Sequence, residues 1–234
     1  MEFQTPLIPA RLLRRYKRFF ADMRLDDGQE VITHCPNTGP MTGISDIGMR
    51  CWLEPNDDPK KKLNFGWRLV DHENGHFTGV DTSVPNRVLR EALLASAIPV
   101  LAEYNSVRAE FRYGENSRID FLLSRDGLPD VYVEVKSVTL MREPGLAEFP
   151  DTVTTRGTKH LNELAKVAQA GHRAVSLFLV QRTDCTRFSI AADFDPAFAQ
   201  AHREAHMAGV ETMILGCRVS PNGVEIAGSL PFAD

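Results

Sequence analysis

Apolar and polar positions alternate with a short period through the first third of the chain and with a helical period only later. The runs "FFADMRL" (19–25) and "QEVITH" (29–34) alternate every second residue around Asp27-Gly28, which predicts a β-hairpin. Further strand patterns lie at 50–53, 65–70 and 77–80, and "CPNTGPMTG" (35–43) carries too much Pro and Gly for regular structure. No helical period appears there, so the region reads as a small all-β barrel.

The period changes at "SVPNRVLREALLASAIP" (83–99), where Val88, Leu89, Ala92 and Leu93 form one apolar stripe and Asn86 is placed as a helix cap. Beyond it the pattern predicts strands at 107–113, 118–124 and 131–138, a helix at 156–170 and a strand at 173–181. A helix at 195–208 and a strand at 210–219 follow. In the 156–170 helix, Leu161, Leu164, Ala165 and Ala168 share a face, which leaves Lys159, His160, Asn162, Glu163 and Lys166 on a polar one. The expectation is an α/β (α+β) protein of two domains, 1–83 and 84–234.

Composition narrows the class without naming a function. The chain has 234 residues with 43% hydrophobic content, enough for sizeable cores, and its formal charge of −4 gives no global case for nucleic acid. No apolar run approaches the roughly 18 residues of a membrane span, and the N-terminal sequence lacks the order of a secretory signal. A cytoplasmic location away from the membrane is expected. Cys35, Cys51, Cys185 and Cys217 stand far apart, which suggests reduced structural thiols.

Local chemistry concentrates in two places. Arg11, Arg14, Arg15, Lys17 and Arg18 interleave with Tyr16, Phe19 and Phe20, either as a surface for phosphates and unpaired bases or as a solvated basic edge. In "PDVYVEVKS" (129–137), Val131, Val133 and Val135 form one face of a strand, and Glu134 and Lys136 lie on the other. A hairpin centred between Gly127 and Leu128 puts Asp120 opposite about residue 135, beside Glu134 and Lys136. Two carboxylates this close repel unless a cation joins them, and Mg²⁺ or Mn²⁺ suits such oxygen ligands. Lys136 then has water or phosphate to act on; the bland alternative is a salt bridge on a solvated face. Asp130 precedes Glu134 by about 13 Å along the strand, too far to share the ion.

The blocks "HCPNTGPM", "PNRVLREAL", "YGENSRIDFLL", "VYVEVKSVTL", "FPDTVTTRGTKHLNEL" and "GVETMIL" resemble the sugar fermentation stimulation protein (SfsA) family. The resemblance implies an N-terminal OB-fold-like β-barrel and a C-terminal α/β domain with a mixed sheet, similar to PD-(D/E)xK nucleases. It also implies DNA binding without marked sequence specificity and a regulatory link to sugar, particularly maltose, utilisation.

By position, Asp120, Glu134 and Lys136 match the nuclease-like catalytic set, with Asp120 and Glu134 as metal ligands. Glu91 matches the acid such nucleases carry on the preceding helix; Glu110 is a weaker candidate for that place. Lys159 and His160 are placed toward phosphate, with Arg14, Arg15, Tyr16, Lys17 and Arg18 as the nucleic-acid surface of the barrel. Three readings stay open: a metal-dependent nuclease or phosphodiesterase, a DNA-binding regulator that keeps the nuclease fold without turnover, and an enzyme for a small phosphorylated or nucleotide ligand. His202 and His206 have zinc-helix spacing, but Arg203 stands where the general-base glutamate would be, so surface histidines are expected.

Overall fold

A computed structural model describes residues 1–113 and 117–233 of the chain; Gly114 to Asn116 of the "YGENSRIDFLL" block lie outside the described residues. The first domain contains β1 (Ile8–Tyr16), β2 (Phe20–Leu25), β3 (Glu30–His34), β4 (Arg50–Pro55), β5 (Phe65–Asp71) and β6 (Phe77–Gly79). β1 pairs antiparallel with β2 and β4, β2 with β3, and β4 with β5. His34 of β3 meets Gly66 of β5 in parallel and closes the barrel in the strand order of an OB fold. Leu12, Met23, Leu53 and Trp67 fill the interior. β1 escapes the simple alternation because adjacent Leu12 and Leu13 blur it, and its register with β2 shifts between Leu12 and Arg14.

β6 carries the chain into the second domain. The Gly79 N–H donates to the Gln181 carbonyl at 2.8 Å. A Cβ at Gly79 would stand 2.7 Å from Gln181 Oε1 and 3.3 Å from its Cβ, so a larger residue there would push the Gln181 side chain aside. Met1 also crosses over: its ammonium donates to the Val224 carbonyl at 2.9 Å, and Glu2 bridges Gly223.

The second domain begins with α1 (Val84–Leu94) and a short 3-10 turn, followed by β7 (Ser106–Tyr113), β8 (Ser117–Ser124), β9 (Val131–Val138), β10 (Leu140–Glu143) and β11 (Leu146–Phe149). Then come α2 (Thr155–Gln169), β12 (Arg173–Val180), β13 (Arg187–Ile190), α3 (Pro196–Met207), β14 (Glu211–Ser220) and β15 (Gly223–Ser229). The main sheet runs β15-β14-β12-β9-β8-β7. β9, β12 and β14 are parallel neighbours, while the outer pairs are antiparallel, which makes the sheet mixed. Val88, Leu89 and Leu93 of α1 cover one face with Val131, Val133 and Val175. Leu161, Leu164 and Phe198 of α2 and α3 cover the other with Ala174 and Phe178. Buried on both faces, β12 is apolar almost throughout, as a central parallel strand must be.

Two expectations are corrected. α1 starts at Val84, with Ser83 at the N-cap position and Pro85 in its first turn, so Asn86 lies inside the helix and does not cap it. The β8–β9 turn is centred on Gly127 (φ +82°), with Leu128 N–H bonded to the Arg125 carbonyl at 3.1 Å. Phe121 therefore pairs with Val133, and the next step puts Asp120 level with Glu134, one residue from the expected register. The strands β10, β11 and β13, four residues each, were not legible from periodicity. All four cysteines are free and buried. No described helix is long and apolar enough to cross a membrane.

Candidate functional site

The β8–β9 hairpin brings Asp120 and Glu134 side by side at the level where α2 crosses the sheet. Asp120 is held at both oxygens: Asn86 Nδ2 donates to Oδ1 at 2.8 Å and the Val135 N–H to Oδ2 at 2.7 Å. Glu134 is buried, and its Oε1 accepts from Lys136 Nζ at 2.7 Å and from His160 Nδ1. Among the described residues its Oε2 is buried without a hydrogen-bond partner. The charges alternating on β9 thus lie under a helix and not on a solvated face; the Lys136 side chain is only 12% exposed.

α2 is placed to deliver His160. Thr154 caps it by accepting the Gly157 N–H at 3.1 Å. Buried Asp195, the cap of α3, accepts both the Phe198 N–H at 2.9 Å and the Thr154 N–H at 2.7 Å, so one carboxylate ties the starts of both helices. Arg156 Nε lies 3.4 Å from His160 Nε2. That donation needs a lone pair on Nε2, which leaves the proton on Nδ1, where Glu134 receives it.

The electrostatics separate the two acids. Burial, followed by the charge of Glu134, holds Asp120 above the ordinary aspartate range, against the bonds from Val135 and Asn86. Burial alone would push Glu134 up as well, but the His160 hydrogen bond and the Lys136 charge outweigh it and keep its carboxyl below the usual value. Tyr113 belongs to the same field: burial, then Glu134, Glu163 and Asp120, push its phenol upward, and its hydroxyl is buried without a partner among the described residues. Unlike charged residues in a motif, Asn86 and Tyr113 gave no sequence signal of a role here.

Other residues go elsewhere. The Glu91 carboxylate takes the Met1 ammonium at 2.8 Å and borders a cavity with Glu225 and Ile226 of β15; it does not join Asp120 and Glu134. Glu110 is exposed, 4.0 Å from Arg118. Among the described residues no three His, Cys, Asp or Glu side chains are grouped as a ready metal cage. The two-carboxylate pair still fits a hard divalent ion that takes one or two protein oxygens and fills its shell with water and phosphate. The Glu134 Oε2, without a partner among the described residues, and the Asp120 carboxyl, raised by burial and then by the Glu134 charge, are what such an ion would relieve.

Two of the five basic residues in the barrel's run are paired with acids, and a third is bonded to backbone carbonyls. Arg11 makes a two-pronged pair with Glu73 at 2.8 and 2.6 Å, and Arg14 pairs with Asp22 at 2.6 Å. Arg15 donates to the carbonyls of Asn37 and Gly39, each at 2.8 Å, and Tyr16 donates to Asp22 at 3.0 Å. Lys17 and Arg18 are exposed at the β1–β2 turn and make no ion pair among the described residues. Lys159 is exposed on α2, whereas His160 is buried and points inward. His202 is packed against Phe232 and bonded to Thr212 at 2.9 Å, and His206 is exposed, so the two form no metal pair.

The fold and chain match known proteins along their whole length. A family model described as the sugar fermentation stimulation protein RE domain matches residues 83–223, and one described as the SfsA N-terminal OB domain matches residues 13–80. A sugar fermentation stimulation protein homolog of Roseobacter denitrificans is 66% identical over 233 residues, covering 99% of each chain. The homolog of Ruegeria pomeroyi is 68% identical over 230 residues, covering 98% of this chain and 100% of that one. A solved structure of Pyrococcus furiosus SfsA in complex with Ca²⁺ superposes with a TM-score of 0.89 at 28% identity, covering 100% of this chain and 98% of the other.

Proposed function

As the chain belongs to the sugar fermentation stimulation protein (SfsA) family, we propose that it is a cytoplasmic DNA-binding protein whose second domain hydrolyses phosphodiester bonds with a divalent metal, Mg²⁺ or Mn²⁺. The observation that carries this reading is the orphaned, buried Oε2 of Glu134 beside Asp120, with Lys136 on the same carboxylate. The Ca²⁺ held by the solved Pyrococcus relative supports a hard divalent ion in this fold. Asp120 and Glu134 would hold the ion, which supplies charge neutralisation at the phosphate and a more acidic water.

The chain's own groups do the rest. Asn86 and the Val135 N–H fix the Asp120 carboxylate, and His160 fixes that of Glu134. Lys136, anchored on Glu134 Oε1, keeps its remaining donors for the attacking water or the non-bridging phosphate oxygen that gains charge as the phosphorus–oxygen bond breaks. Burial under α2 keeps bulk water from screening these charges.

A second reading has its own support: Glu134 Oε1 is already satisfied by Lys136 and His160, and Glu91 is engaged elsewhere, so the Glu134 carboxylate has its own cation without a metal. A DNA-binding regulator of sugar use that retains the fold without turnover fits that observation. The two part in a cleavage panel of single-stranded, duplex and branched DNA and RNA, with Mg²⁺ or Mn²⁺ against EDTA. Metal-dependent cleavage that Lys136→Ala and Asp120→Ala abolish, with binding retained, supports the nuclease. Intact substrates throughout overturn it and leave the regulator.

A further inference from the structure

One end of the barrel carries a groove that the catalytic reading does not use. A cavity of about 410 Å³ opens between the β1–β2 turn and the loop 56–64 that joins β4 to β5. Its wall includes Phe20, His34 and Phe65, and Lys61 and Lys62 stand at its rim. Phe20 and His34 share a face because they pair across β2 and β3, and Phe65, next to the Gly66 that meets His34 where the barrel closes, lines the same cavity while packing partly against the barrel interior. Phe20 is also braced from behind by Tyr16, stacked at 5.6 Å with the rings 18° apart.

The groove continues along β3. A second cavity of about 260 Å³ shares Lys62, Leu63 and Phe65 with the first and reaches Ile32, which is 48% exposed. Charge frames both. Lys61 and Lys62 line the cavities from the loop, where Lys60 is exposed as well, and Lys17, Arg18 and Phe19 are exposed in the turn that leads directly into Phe20. The acids nearby are largely occupied: Glu54 pairs with Arg68 at 2.7 Å and accepts the Gln4 N–H, and Asp58 accepts the Lys60 N–H at 2.9 Å within its own loop. Asp57 alone among these stays exposed without such a bond.

We propose that this groove binds a single strand of nucleic acid, with unpaired bases stacked against Phe20, Phe65 and His34 and the phosphates running between the two basic loops. A flat ring can enter an aromatic-walled cavity only when its base is out of a duplex; paired bases are stacked inside the helix and offer the protein phosphates and groove edges instead. The occupant is therefore a strand with unpaired bases, and charge complementarity at the rims matches its backbone. The inference rests on the nucleic-acid reading given above and narrows its substrate class. It also moves the binding surface of the barrel from Arg14 and Arg15, which are spent on internal partners, to the loop lysines and aromatic wall.

The test is anisotropy titration of the full chain with a labelled oligothymidylate of about 12 nucleotides, within the span an OB fold covers. EDTA is present so that no cleavage occurs, and a duplex of equal length serves for comparison. The single strand is expected to bind about tenfold tighter than the duplex. Lys61→Ala with Lys62→Ala, both in an exposed loop, should lower the slope of log affinity against log salt by about 1.4. Phe65→Leu should weaken single-strand binding about tenfold; because Phe65 is half-buried, the lysine pair carries the test independently.

Equal affinity for the duplex, no binding of the single strand, or an unchanged slope in the lysine variant each overturns the groove. Lys136→Ala, run in parallel, separates the two proposals. Cleavage that depends on Lys136 while the lysine variant binds normally removes the groove alone. Groove-dependent binding with no cleavage of any substrate removes the nuclease alone.

Discussion

Asn86 Nδ2 donates to Oδ1 of Asp120 at 2.8 Å, so a residue of the first helix clamps the carboxylate of the second domain's hairpin. The clamp leaves Asp120 oriented toward Glu134 although the charge of Glu134 opposes its ionisation. Removing a hydrogen-bond partner of a metal-binding carboxylate typically costs about 10- to 100-fold in metal affinity or activity. Asn86→Ala should therefore weaken Mn²⁺ binding by that range in calorimetric titration, with oligonucleotide affinity in EDTA unchanged. Full retention of metal affinity would remove Asn86 from the site.

Asp195 tests how α2 is positioned. Its carboxylate serves the buried Phe198 N–H and the partly buried Thr154 N–H, and Asp195→Ala removes the acceptor of both. Loss of a cap together with a stranded donor should destabilise the protein by about 2 to 3 kcal/mol in urea unfolding. Because α2 carries His160, catalysis should fall more than the stability loss alone explains.

Arg15 separates an electrostatic role from a structural one. It is bonded to the Asn37 and Gly39 carbonyls and so holds the 35–43 loop against β1. Arg15→Ala should lower stability by about 1 to 2 kcal/mol, since two charge-assisted bonds are lost. The salt dependence of nucleic-acid binding should not change; a shallower slope would return Arg15 to the phosphate-contacting set.

His202 predicts a specific acid sensitivity. Burial, followed by the His206 and Arg203 charges, lowers its pKa from 6.5 to about 4. In the folded state it stays neutral where the unfolded chain already binds a proton, so its contribution is present above about pH 6.5 and is lost as pH falls toward 4. His202→Gln should flatten that part of the thermal-unfolding profile. The difference between the wild-type and variant profiles over pH 4 to 6.5 is the measurement, because the contribution of the carboxylates is common to both.

The residues that make the elements were readable because periodicity records burial. Val131 and Val133 are both fully buried on the face predicted for them, and α1 and α2 turn inward the leucines their spacing assigned. The catalytic candidates Asp120, Glu134 and Lys136 were readable because charges in the middle of a buried strand need a reason, and a hairpin brings two of them together. Their arrangement was not. A half-residue shift of the turn centre moves the register by one residue and decides whether Asp120 faces Val135 or Glu134, since strand side chains alternate with a period of two, and only the folded turn at Gly127 fixes that.

Partner choice was likewise a matter of three dimensions. Asn86 looked like a cap because its residue type prefers caps; its contact with Asp120 spans 34 residues and leaves no local trace. His160 and Lys159 are neighbours in sequence, yet one helical step turns the first onto Glu134 and the second to solvent. Arg14 and Arg15 carry the same charge as Lys17 and Arg18, and their partners are set by strand pairing and loop packing. The sequence determined the two-domain fold, most of its longer elements and the charged residues of the hairpin, because burial and alternation are local. The tertiary structure decided which charges are paired, which oxygen is left without a partner and where a groove opens, because each depends on contacts between segments far apart in the chain.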